Sequence, residues 1–191
     1  MNSLEKMRRK LKPTATYRRE DFINLSSNVD RHLKTLVLEK ALLKIQNGLY
    51  MCPETTPFGE ALPEETQLLK SFLKDDNFVV YDLNLFNSLG LGLTQLHNKR
   101  IVFNRKRHGD FQFNGKHYHF YRWRESPKKL SKEFLYVEFL NRFDKLAEDT
   151  VKHKNLLKRQ LRKLDQKKLK RAVQNYGKKA TKKKLQSLLF Q

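Results

Sequence analysis

The sequence predicts an α+β protein with an N-terminal winged helix-turn-helix, a small α/β middle domain built on an antiparallel sheet, and a basic helical C-terminal extension. Three observations predict it. Helical apolar spacings near the N-terminus run straight into two short apolar runs around Asn47-Gly48. Residues 64–150 mix short β-branched and aromatic runs with helical stripes. The last 41 residues set thin leucine stripes in an otherwise cationic background.

Taken in order, Leu4, Met7 and Leu11 recur at helical spacing, and Pro13 stops that helix. A short second helix is expected within Thr16–Leu25, with Phe22, Ile23 and Leu25 inward. Ser26-Ser27-Asn28 is a polar turn with an N-cap candidate. Val29, Leu33, Leu36 and Lys40 then fall at i, i+4, i+7 and i+11, a buried stripe ending at a lysine whose stem covers apolar surface. Leu42–Ile45 and Leu49–Cys52 flank Asn47-Gly48, a strong hairpin signal. Three helices followed by a hairpin is the winged-helix order, so residues 1–52 form one domain. The turn-rich stretch 53–63, with three prolines and Gly59, reads as a linker.

The middle domain, 64–150, opens with Pro63-Glu64-Glu65 at a helix start. Phe78–Tyr81 and Arg100–Asn104 read as strands. Leu83, Phe86, Leu89 and Leu91 mark a short helix closing at Gly90 or Gly92. Phe111–Phe113 and Lys116–Trp123 form a hairpin about Asn114-Gly115. Ser131 caps a longer helix with apolar positions 134, 137, 140 and 143. In the tail, 151–191, helical stripes run through Leu156, Leu157, Leu161 and Leu164, then Leu169, Val173 and Tyr176, then Leu185, Leu188 and Leu189. Asp165 and Thr181 are the caps and Gly177 the C-terminal stop. The leucines imply that the tail packs on the middle domain or on a partner, and the middle domain is the expected choice.

Charge separates these regions. The net charge is +21 in 191 residues. Residues 1–52 hold eleven Lys/Arg against five Asp/Glu (+6), residues 53–150 fifteen against fourteen (+1), and residues 151–191 fifteen against Asp165 alone (+14). A neutral middle between two basic ends indicates two surfaces that meet polyanions, most simply nucleic-acid phosphates. No apolar run approaches the roughly 18–20 residues of a membrane span, no apolar leader opens the chain, and Cys52 is alone. The expected location is the cytoplasm.

The third helix is the expected DNA reader. Asn28, Arg31, His32 and Thr35 form a second stripe, and Arg and Asn suit bidentate contacts to guanine and adenine edges. Ser27 lies at the helix start, and Arg18, Arg19 and Lys34 are phosphate candidates. Lys44, Gln46 and Asn47 mark the wing. The bland alternatives are a solvated helix face or a protein-interaction module. The second basic surface comprises Lys167, Lys168, Lys170, Arg171, Lys178, Lys179, Lys182, Lys183 and Lys184. It reads as a nucleic-acid clamp, a docking surface for an acidic protein, or a solvated extension.

For catalysis the inventory is thin, so no enzyme activity, metal or cofactor is expected. His117 and His119 share a strand face without a nearby third ligand, and a polar hairpin face explains them. Gly90-Leu91-Gly92 lacks the rest of a dinucleotide fingerprint. Glu133, Glu138 and Asp144 are most simply surface ion pairs on an amphipathic helix.

Three stretches carry a resemblance. Val29–Leu36, running on to Gly48-Leu49-Tyr50, looks like a recognition helix and its wing. Asn87-Ser88-Leu89-Gly90-Leu91 is followed by Thr94-Gln95. Leu164-Asp165 through Arg171-Ala172 leads to Tyr176-Gly177-Lys178-Lys179-Ala180-Thr181 and Lys182–Leu185. In this order and spacing the chain resembles AbiEi-type antitoxins. It departs from them in Ala41, where glycine usually separates helix from wing, and in a shorter hairpin. The resemblance implies an autorepressor that binds its own operator in double-stranded DNA. It also implies the antitoxin of a type IV toxin–antitoxin pair, countering a nucleotidyltransferase-like toxin without a stable complex. The alternative class is a basic RNA- or ribosome-associated protein with no toxin partner.

Overall fold

The structure, a computed structural model, describes residues 2–57, 59–61, 63–93, 96–124, 127, 129–143 and 150–189, without side chains at 55, 60, 150–154 and 187–189. The fold is α+β, in two compact units. The first comprises 1–76 with the hairpin tip 112–116, and the second 77–111 with 117–191. Thr94, Gln95, Asp144 and the side chains of Leu188 and Leu189, all used in the sequence reading, lie outside the described residues.

The first unit opens with α1 (Ser3–Lys10). Asn2 caps it by accepting the Glu5 amide at 2.8 Å, while the Glu5 carboxylate accepts the Asn2 amide at 3.3 Å. β1 (Thr16–Arg18) and a 3-10 helix (Arg19–Leu25) follow. A single second helix is therefore not what forms at 16–25. The first three residues of that segment are extended because Thr16–Arg18 pairs antiparallel with Met51–Leu49. Phe22 is buried there, but Ile23 is 48% exposed, against expectation.

α2 (Val29–Leu38) buries Val29, Leu33 and Leu36, the expected stripe. Lys40 is not its end: the helix stops at Leu38, and Lys40 is exposed beyond it with φ 59°. This is the left-handed turn that glycine usually supplies one or two residues past a helix. β2 (Leu43–Gln46) and β3 (Leu49–Met51) complete a three-stranded sheet of order β1-β3-β2, with a register shift between Lys44 and Gln46 and Gly48 at φ 74°. Met7, Tyr17, Phe22, Val29, Leu33, Leu36 and Leu42 form the core.

The stretch 53–63 is more than a linker. It contains the antiparallel pair β4 (Glu54–Thr56) and β5 (Gly59–Ala61). α3 (Glu65–Leu73), assigned by sequence to the middle domain, belongs with the first unit. Side-chain bonds hold it there: Thr16 Oγ1 meets Ser71 Oγ at 2.6 Å, and Arg18 donates to the Ser71 and Phe72 carbonyls at 2.6 and 3.3 Å.

Apart from the tip 112–116, the second unit contains β6 (Val79–Asp82), a 3-10 helix (Leu83–Leu89), β7 (Lys99–Asn104) and β9 (Lys116–Arg122), with β8 (Gly109–Phe113) at the edge of the order β6-β7-β9-β8. The sheet is mixed and not simply antiparallel: β9 inserts beside β7 and runs parallel to it, Phe103 opposite Tyr121. The buried Asn104 organises the crossing. Its Oδ1 accepts the Lys106 and Arg107 amides at 2.8 and 2.7 Å, while its own carbonyl accepts the Trp123 amide at 2.8 Å. Asn114 and Gly115, at φ 48° and 74°, make the tight turn that Asn-Gly favours.

α4 (Lys132–Arg142), α5 (Thr150–Arg162), α6 (Gln166–Tyr176) and α7 (Lys179–Leu189) share one core. Phe134, Val137 and Phe139 lie in it with Leu157, Leu161, Leu169 and Leu185. Every residue from Phe134 to Leu140 is buried, so α4 is not amphipathic in its centre. Ser131 caps α4, accepting the Phe134 amide at 3.1 Å, and Asp165 caps α6 through the Lys167 and Lys168 amides. Thr181 is no cap. It is 2% exposed inside α7, where its hydroxyl bonds to Asn141 Oδ1 at 2.8 Å.

Candidate nucleic-acid interface

α2 presents one outward face, and its composition differs from the expected stripe. At 100° per residue Arg31, Lys34 and Leu38 lie together opposite Val29, Leu33 and Leu36. Arg31 and Lys34 are exposed and, among the described residues, neither has a partner. Leu38 is 75% exposed, an apolar side chain that belongs to neither of the two expected stripes.

The other expected members are differently engaged. His32 Nδ1 is 2.8 Å from Ser26 Oγ, and the buried Ser26 also accepts the Asn28 amide at 2.9 Å. Its imidazole therefore orders the turn into α2. The Thr35 hydroxyl donates to the Arg31 carbonyl at 3.1 Å. Asn28 is the N-cap residue, but its side chain makes no capping bond; Ser27 and Asn28 are both exposed at the entrance to α2.

Two phosphate candidates are structural. The Arg18 guanidinium is only 20% exposed, bonded to Glu20 at 2.9 Å and to the Ser71 and Phe72 carbonyls. Arg19 grips Asp30 with two bonds of 2.7 and 2.8 Å. The hydrogen bond from Arg19 holds the Asp30 carboxyl below the usual carboxylate range. This pair pins the 3-10 helix to the first turn of α2, which orients the outward face while neutralising the arginine. At the hairpin, Lys44 and Asn47 are exposed and Gln46 is half-buried.

In the second basic surface, Lys167, Lys170, Arg171, Lys179 and Lys183 are exposed with no partner among the described residues. Lys168 lies 3.7 Å from Asp165, and Lys182 donates to the Gln174 carbonyl at 3.1 Å. Lys178 and Lys184 lie over the Tyr121 and Phe143 rings, at 5.7 and 5.3 Å. These two fasten the tail through their stems and charges.

Motifs from the sequence reading also find structural explanations. The Tyr176-Gly177…Thr181 stretch closes on Asn141. That side chain accepts from the Lys178 amide at 2.9 Å and donates to the Tyr176 carbonyl at 2.9 Å. A Cβ at Gly177 would stand 2.5 Å from the Val173 carbonyl oxygen, so only glycine fits without displacement. In the Leu89-Gly90-Leu91 stretch both leucines are buried, Gly90 takes φ 68°, and Tyr136 donates to the Leu89 carbonyl.

Glu138 corrects the surface-ion-pair reading. It is 1% exposed and accepts from Tyr81 at 2.7 Å, from Asn141 at 2.8 Å and from Arg142. Burial and this carboxylate push the Tyr81 hydroxyl well above its ordinary pKa, keeping it a donor. His119 meets Asp110 at 3.0 Å, and Lys99 reaches the same carboxylate at 2.6 Å. No group of three His, Cys, Asp or Glu among the described residues is disposed to hold a metal, and no described helix is long and apolar enough to cross a membrane.

Neither a protein family model nor a curated protein matches the chain. Among solved structures, the crystal structure of the RV2827C protein from Mycobacterium tuberculosis is similar, with a TM-score of 0.56 over 98% of this chain and 74% of that one. At 14% identity, what the two chains share is the fold.

Proposed function

We propose that the first unit is a winged helix-turn-helix that binds double-stranded DNA, and that the chain is an autorepressor and the antitoxin of a type IV toxin–antitoxin pair. The observation that carries the DNA half is the free Arg31–Lys34–Leu38 face of α2, held by the order α1-β1-3-10-α2-β2-β3 with its sheet β1-β3-β2. In this reading Arg31 makes the bidentate contact to a guanine edge, Lys34 meets a phosphate, and Leu38 touches a thymine methyl. Lys44 and Asn47 lie against the adjoining backbone. The antitoxin half is supported by the resemblance of the three motif stretches to AbiEi-type proteins. In this reading the basic second unit carries protection against a nucleotidyltransferase-like toxin.

Quantitative shift assays on DNA from upstream of the protein's own gene test the first half. Affinity is expected to fall about 10³-fold between 50 and 200 mM salt. Arg31→Ala costs about 1–3 kcal/mol and relaxes sequence preference, whereas Lys34→Ala weakens all sequences alike. Parental binding by both variants refutes the placement of α2. Co-expression with the cognate toxin tests the second half. Charge reversal at Lys167, Arg171, Lys179 and Lys183 is expected to lose protection while retaining operator binding; full growth rescue at normal protein level refutes it.

A further inference from the structure

The second unit has a cavity of about 630 Å³ between α6, α7 and the end of α5. Leu169 and Leu185, 1% and 2% exposed, and the half-buried Val173 make its floor. Arg162, Lys170 and Lys182 stand on its rim. Arg162 and Lys170 are exposed and have no partner among the described residues. Lys182 spans from α7 to the Gln174 carbonyl near the end of α6. No carboxylate lines the cavity among the described residues. The single acid of the region, Asp165, is consumed as the α6 cap.

From this pairing of an aliphatic floor with an unneutralised cationic rim we infer that the α6–α7 groove is a docking site for an acidic amphipathic helix of a partner protein. Aliphatic anchors at i, i+3/i+4 and i+7 fill the floor, and carboxylates beside them meet Arg162 and Lys170. Charge complementarity selects the occupant. A nucleotide or single-stranded nucleic acid fits less well, because no aromatic side chain among the described residues lines the groove for base stacking. The main-chain amides that start α6 are already taken by Asp165, so no helix N-terminus is open to a phosphate there. The inference stands apart from the DNA reading, since α2 and this groove lie in different units.

Fluorescence anisotropy with the full chain at physiological salt tests it. The probe is a labelled 20-residue helical peptide of leucines at i, i+4, i+7 and i+11 in a glutamate-rich background. A matched peptide replaces the leucines with serine at the same charge, and an unlabelled 20-nucleotide single-stranded DNA serves as competitor. The leucine peptide is expected to bind saturably and at least about tenfold more tightly than the serine peptide, since each factor of ten is a modest free-energy step. Arg162→Glu with Lys170→Glu, both on exposed positions, and Gln186→Trp, which fills the groove from its rim, each weaken it by about tenfold or more. Circular dichroism checks that these variants fold. Equal binding of the two peptides, indifference to all three substitutions, or no saturation by about 1 mM peptide overturns the inference. Displacement by the DNA with the same dependence on Arg162 and Lys170 assigns the groove to nucleic acid and also overturns it.

Discussion

Replacing Asn141 by alanine is expected to loosen the tail from α4. The side chain is a four-way clip. Its Oδ1 accepts the Lys178 amide at 2.9 Å and the Thr181 hydroxyl at 2.8 Å, and its Nδ2 donates to the Tyr176 carbonyl at 2.9 Å and to Glu138 at 2.8 Å. Thr181 and Glu138 are 2% and 1% exposed, so alanine takes a bond from two buried polar atoms, the Thr181 hydroxyl and the Glu138 Oε1, while the Glu138 Oε2 keeps Tyr81 and Arg142. At about 1–3 kcal/mol for each, and little for the two groups that reach water, the expected loss is about 2–6 kcal/mol. Thr181 can turn its hydroxyl to a carbonyl of its own helix, which favours the lower part of that range. Urea unfolding of the full chain, followed by circular dichroism, measures the loss. A cycle with Thr181→Val isolates the shared bond, with an expected coupling of at least about 0.5 kcal/mol because the groups touch. A change below about 0.5 kcal/mol for Asn141→Ala, or strict additivity with Thr181→Val, refutes the clip.

Other outcomes follow from single sites. Lys40→Gly relieves a left-handed lysine and is expected to stabilise the chain by about 1 kcal/mol in the same unfolding assay, whereas Lys40→Val lowers stability. Asp165 titrates below the usual carboxylate range because the Lys168 and Lys167 amides donate to it. A folded pKa below the unfolded one contributes stability above the unfolded value, about 3.9, which is lost as pH falls through the folded value. Melting temperatures between pH 7 and pH 2 are therefore expected to fall less steeply at the acid end for Asp165→Asn, which keeps a capping oxygen without a titrating proton. Asp165→Ala melts lower already at pH 7, having no cap. Parental acid sensitivity in Asp165→Asn refutes the assignment.

Much of the fold was legible in the sequence because it is written in short-range chemistry. Asn114-Gly115 turns a hairpin whatever surrounds it, since its two left-handed residues are local. Ser131 and Asp165 cap helices two or three residues away. Val29, Leu33 and Leu36 declare a buried face by spacing alone. Arg31 and Lys34 were recognisable as the outward cations of the same helix.

What only the tertiary structure decided depends on partners far away in the chain. Arg18 reads as a phosphate ligand until it meets Ser71, 53 residues on, and Arg19 until it meets Asp30. α3 joins the first unit through Thr16 and Arg18, which no stripe in 65–73 announces. β9 lies parallel to β7 because it inserts there ahead of β8, and strand order is not a property of any one strand's sequence. Glu138 reads as a surface charge until Tyr81, Asn141 and Arg142 close around it. The sequence by itself determined most of the helices, the Asn-Gly turns, the Ser131 and Asp165 caps, and that charge gathers at two ends. The tertiary structure decided which of those charges remain free, because an ion pair is settled by which side chains the folded chain brings within reach.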